Sequence, residues 1–127
     1  MKNSSLPCII LRFTMVLLFA WFAVQQLMDP SAWVGYLPEW TGYLPIPGEM
    51  LIMLNGWTEL VLAAMMVVGC FTRWISIVLG LHLIGIAWTA GGAVGVRDAA
   101  LALCMFALAS GPADDWSLDG YVERNQK

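Results

Sequence analysis

Residues 50–90 read MLIMLNGWTELVLAAMMVVGC-FTR-WISIVLGLHLIGIAWTA, two long apolar runs separated only by Phe71, Thr72 and Arg73. The first run has the ~20 residues that an α-helix needs to cross a ~30 Å hydrocarbon core, and the second falls slightly short. Neither shows the alternating pattern of a barrel strand, and in lipid every backbone amide must find its partner within the segment, so both are read as helices. A three-residue connection predicts a tight antiparallel hairpin with the two spans as neighbours.

Working outward, residues 8–28 form a third apolar run, and residues 92–110 a fourth that reaches full length only with Arg97 and Asp98 inside it. The expected fold is all-α, a bundle of four transmembrane helices (8–28, 50–70, 74–90 and 92–110) in one membrane domain, with a polar tail at 111–127. The N-terminal run is longer than a signal-peptide core, contains Arg12 and ends in bulky residues, so it is read as a retained span.

Composition agrees. Of 127 residues 60% are hydrophobic and 12% charged, with a mean hydropathy of +0.74, outside the usual soluble balance. Six basic residues occur singly and form no phosphate-binding patch, which excludes nucleic acid as a partner. Cys8, Cys70 and Cys104 have no paired or metal-ligand spacing, and no metal site is expected.

Basic residues set the expected orientation. Lys2, Arg12, Arg73, Arg124 and Lys127 fall on one side of the four-span scheme and only Arg97 on the other. By the positive-inside rule both termini face the cytoplasm, in the cell's inner membrane. Trp33, Trp40, Trp74 and Trp88 lie near the expected interfaces. The long outer loop, residues 29–49, repeats a Gly-Tyr-Leu-Pro unit at 35–38 and 42–45. Its content suits packing on the membrane surface, with a lid over the bundle mouth as the alternative.

Ionisable groups at bilayer depth normally face the bundle interior and have a partner. Glu59 lies nine residues past Met50 and His82 nine past Arg73, so each sits ~13 Å into its span, from opposite sides. Asn55, four residues before Glu59, shares its helix face. This grouping suits either interhelical hydrogen bonding or a proton-handling or ligand-binding role. Adjacent helix residues diverge by ~100°, so Arg97 and Asp98 are each expected to find a partner elsewhere, with Glu59 or Glu49 in reach of Arg97. Arg12 is read as an interfacial anchor satisfied by lipid phosphate. Thr72, Ser76 and Gly80, with Ala99, Ala102 and Ala109, form small-residue stripes that let helices approach closely. No nucleophile elbow, phosphate loop or metalloprotease motif occurs, and with a single histidine only single axial haem ligation by His82 stays open.

Taken together, Arg12, Gln25-Gln26-Leu27-Met28-Asp29-Pro30, Glu59, Gly69-Cys70-Phe71-Thr72-Arg73, Arg97-Asp98-Ala99-Ala100-Leu101 and the tail Trp116-Ser117-Leu118-Asp119 resemble the DoxX family of small four-helix membrane proteins. The resemblance implies the four-helix fold and a loose association with respiratory or sulfur-linked redox complexes, including the related small subunit of thiosulfate:quinone oxidoreductase. It also implies that Glu59, Arg97 and Asp98 form an intramembrane polar cluster. Many members carry a lysine at the position of Gln26, so a role relying on that cation is not implied here.

The expected function is a non-catalytic subunit or anchor of a quinone-linked membrane complex. Its partners would be lipid and other membrane subunits or a second copy of the chain; no cofactor would be covalently bound, and a quinone or lipid is the candidate ligand. The alternatives are a small transporter or quinone-handling enzyme using Asn55, Glu59 and His82, and a membrane assembly factor.

Overall fold

The structure is a computed structural model and describes residues 5–127; Lys2, which enters the charge count, lies outside the described residues. Four long helices follow one another: α1 (Leu6–Met28), α2 (Gly48–Val68), α3 (Thr72–Ala90) and α4 (Gly92–Ser110). All four are long and apolar enough to cross a membrane. Each end lies within two residues of the apolar run it was read from, and Arg97 and Asp98 fall inside α4. A short helix, α5 (Leu118–Asn125), closes the chain.

Helix punctuation follows local chemistry. Pro7 occupies the first turn of α1, where a missing N–H removes no helical bond. Gly69 ends α2 in the left-handed conformation (φ 74°), its amide and that of Cys70 returning to the carbonyl of Met65. Phe71 also takes a positive φ of 53°, a conformation that is costly for a side chain with a Cβ. Asp119 holds it there: its carboxylate accepts the amides of Phe71 (3.0 Å) and Thr72 (2.8 Å) and so caps the start of α3.

The closest backbone approaches pair α1 with α2 and α3 with α4, whereas α2 and α3, although joined by the tight turn, touch only sparsely. Spans two and three are in contact as the short connection leads one to expect, but the tightest packing lies within the other two pairs. Small residues decide the pairing. Gly56 faces Ala23 and Gln26 across α1–α2, Gly80 faces the ring of Phe106, and Gly95 faces the carbonyl of Ala87. The stripe containing Ser76 and Gly80 is buried, as are Ala102 and Ala109 opposite. Between the two helix pairs lies a core of Met15, Phe19, Met66, Leu79, Leu83 and Met105. Leu17, Val96 and Leu103 point outward and are mostly exposed, as lipid-facing side chains are.

Arg12 departs from its expected role. It is fully buried: its guanidinium is held by the carboxylate of Asp114 and donates to the carbonyls of Met66, Val67 and Trp116. The tail supplies the counter-ion that sequence reasoning assigned to lipid phosphate, and two of the acceptors are last-turn carbonyls of α2 that need donors. Ser117 caps α5 through Gly120 and the amide of Asp119 donates to Gly69, so the tail is folded onto the α2–α3 turn.

Candidate intramembrane polar site

At the opposite end from the tail, the loop between α1 and α2 folds into two 3-10 turns, Pro30–Tyr36 and Glu39–Tyr43. It rests over the helix ends and, with them, encloses a partly open cavity of about 1050 Å³. That is just above the ~300–1,000 Å³ typical of small-molecule sites. Trp33, Tyr36 and Trp40 of the loop, Phe19 and Phe22 of α1, and Leu83 and Leu101 from α3 and α4 line it. The loop therefore lies over the bundle mouth, one of the two placements its composition suits. Trp33 is half-buried in an aromatic chain, edge-on to Phe22 at 5.6 Å and beside Tyr36 at 5.6 Å. Trp40, Trp74 and Trp88 are exposed.

Among these apolar surfaces lie the amide and ionisable side chains Gln26, Asn55, Glu59, His82, Arg97 and Asp98, with the hydroxyls of Tyr36, Thr41 and Thr89. Glu59 is buried and central. Its Oε2 accepts the amide of Gln26 (3.0 Å), and its Oε1 accepts the amide of Asn55 (3.0 Å) and is bonded to His82 Nε2 (3.0 Å). Asn55 also donates to the carbonyl oxygen of Gln26 (2.8 Å). Three helices contribute, and the donors supply what a carboxylate out of water requires.

The structure thus brings together Glu59 and His82, each placed ~13 Å into its span by sequence, and Asn55, placed on the face of Glu59. Gln26 is the member that sequence reasoning passed over. Its signal was available: Arg12, Val16, Phe19, Ala23 and Gln26 recur at spacings of four and three and make the buried stripe of α1. The same stripe would have turned Arg12 inward.

Arg97 and Asp98 pair with each other, Nε donating to Oδ1 at 2.9 Å, and among the described residues Arg97 forms no ion pair with Glu59 or Glu49. The expectation from backbone angle overlooked reach, since a long arginine side chain bends back across the helix surface. Arg97 also lies over the ring of Phe22, 5.8 Å from its centroid. No hydrogen bond among the described residues joins this pair to Glu59, although both line the same cavity.

The profile of the DoxX family matches residues 8–92. The chain belongs to the DoxX family. This DoxX-family protein is therefore a multi-pass integral membrane protein whose four candidate spans imply the lipid bilayer as solvent. The matched region contains Arg12, Gln26, Asn55, Glu59 and His82; Arg97, Asp98 and the tail lie beyond it. No curated protein matches the chain, and no solved structure does. Among the described residues no three His, Cys, Asp or Glu side chains converge as metal ligands in the DoxX-family fold, and the three cysteines are free thiols.

Proposed function

We propose that this DoxX-family protein is a membrane subunit of a quinone-linked redox system, and that its own part is to hold a lipid-like molecule of the quinone class beneath the loop. The supporting observation is the cavity of about 1050 Å³, aromatic on its walls and polar where Glu59, His82 and Arg97 meet it. Such a pocket suits an amphipathic ring whose tail lies along the helices. With no covalently bound cofactor in this reading, electrons would come from partner subunits or through the bound molecule.

In this reading the termini face the cytoplasm of a cell whose inner membrane holds the protein. The excess of Arg73, Arg124 and Lys127 over Arg97 supports that orientation, with Lys2 adding to it. Arg12 counts for less, because Asp114 neutralises it.

Extraction of the protein purified in mild detergent tests the ligand. About one isoprenoid quinone or similar amphipath per chain is expected, with loss of it in Glu59→Gln at unchanged yield; a wild-type preparation free of such molecules would count against the reading. Co-purification of a dehydrogenase or cytochrome tests the subunit role.

The Glu59–His82 bond between α2 and α3 favours a second reading, a transporter or quinone-handling enzyme that moves a proton as its substrate binds. Reconstituted Glu59→Gln would then lose turnover or uptake while still assembling.

A further inference from the structure

The amide, acidic and basic side chains that line the cavity do not offer themselves to it equally. Gln26, Glu59 and Asp98 are only 4–5% exposed, and the Gln26 amide, both oxygens of Glu59 and Oδ1 of Asp98 are engaged with neighbours. The side chains of His82 and Arg97 are 33% and 52% exposed. Each of these two is held from behind by a buried carboxylate, His82 by Glu59 and Arg97 by Asp98. The groups that meet a ligand are thus an imidazole and a guanidinium, and the two acids position them.

The bonding pattern fixes what each presents. Both oxygens of Glu59 already accept amide N–H groups; to an ionised Glu59 the Nε2 of His82 is a third donor, and a neutral ring then presents its lone pair on Nδ1. His82 therefore accepts a hydrogen from a ligand hydroxyl. Arg97 uses Nε on Asp98, and its two Nη groups have no hydrogen-bond partner among the described residues, so they donate to a ligand oxygen.

Charge narrows the class further. Two carboxylates outweigh one guanidinium, leaving the cluster formally at minus one with His82 neutral. A second anion in so apolar a site is repelled. Neither sign of charge finds a free counter-ion, because the exposed guanidinium is already paired with Asp98 and Glu59 is buried behind its hydrogen-bonding neighbours.

Resting on the reading of this cavity as a ligand site, we propose that it selects an uncharged amphipath whose polar end carries both a hydroxyl donor, taken by His82, and an acceptor oxygen, taken by Arg97. It discriminates against fatty acids, anionic phospholipids and cationic amphipaths. Glu59 and Asp98 are positioning residues for that recognition.

Four probes with the same decyl tail test this on the whole protein in maltoside detergent, with bound fractions read by native mass spectrometry: a decyl-hydroquinone, its dimethyl ether, decanoate and decylamine. The hydroquinone is expected to bind about ten-fold more tightly than each of the other three, equivalent to about 1.4 kcal/mol. His82→Leu should reduce hydroquinone binding to the level of the ether, and Arg97→Gln should weaken both, with melting temperatures followed in parallel. Should His82→Leu not fold, the wild-type ranking decides alone. Decanoate or decylamine binding as tightly as the hydroquinone overturns the proposed selectivity but leaves a ligand site; binding of none of the four overturns the ligand-site reading as well.

Discussion

Arg12 and Asp114, 102 residues apart in the chain, form a buried two-point ion pair, Nε to Oδ2 at 2.7 Å and Nη2 to Oδ1 at 3.1 Å. Through the carbonyls of Met66 and Val67 the same guanidinium reaches the end of α2. One side chain thus ties α1, α2 and the tail together at the end remote from the cavity.

Breaking that pair from one side leaves an uncompensated buried charge. Arg12→Met and Asp114→Leu are each expected to destabilise the protein by about 3–5 kcal/mol, and the double variant by clearly less than the sum. Thermal unfolding in detergent measures all three; additive losses would show that the two side chains act independently.

Asp119 caps α3 and secures the strained turn before it. Asp119→Ala should cost about 1–2 kcal/mol and speed hydrogen exchange at the amides of Phe71 and Thr72. Phe71 is 61% exposed, so Phe71→Gly gives up little packing while relieving the positive φ, and a gain of up to about 1 kcal/mol is expected. A loss of stability in Phe71→Gly would mean that the ring contributes more than its contacts suggest.

The α3–α4 pair depends on two glycines of different tolerance. A Cβ at Gly95 would lie 2.8 Å from the backbone carbonyl of Ala87, which cannot move without shifting the helix; at Gly80 it would lie 2.7 Å from Cε1 of Phe106, which can turn. Gly95→Ala is therefore expected to destabilise by about 1–3 kcal/mol and Gly80→Ala by less. Phe106→Leu should rescue Gly80→Ala and leave Gly95→Ala unchanged, as melting temperatures of the double variants would report.

Gln26 serves Glu59 and Asn55 at once. Gln26→Leu removes a donor from a buried carboxylate and an acceptor from a buried amide, a loss of about 1–3 kcal/mol. Gln26→Lys returns a donor to Glu59 Oε2 and should recover part of it. Equal stability of the Leu variant and the wild-type protein would remove Gln26 from the network.

Four apolar runs of spanning length settled the helices from sequence, because lipid leaves a backbone no alternative to internal hydrogen bonding. The depth argument for Glu59 and His82 likewise needed only helix rise and span ends, and DoxX-like residues were legible as a resemblance. Side-chain reach and packing were not. Helix geometry separates Arg97 from Asp98, yet a flexible guanidinium closes the gap. A basic residue near a span end could be satisfied by lipid or by protein, and only the folded tail showed that Arg12 has Asp114.

The same division holds for the molecule as a whole. Local, periodic properties such as apolarity, helix punctuation by Gly69 and Pro7, and the depth of polar groups along a span are written in the chain itself. Which helices pair, whether the loop covers the bundle, and which partners the buried charges take depend on contacts between residues far apart in sequence. Those contacts are decided by small-residue fit and by the requirement that each charge out of water be matched, conditions that only the assembled bundle can meet.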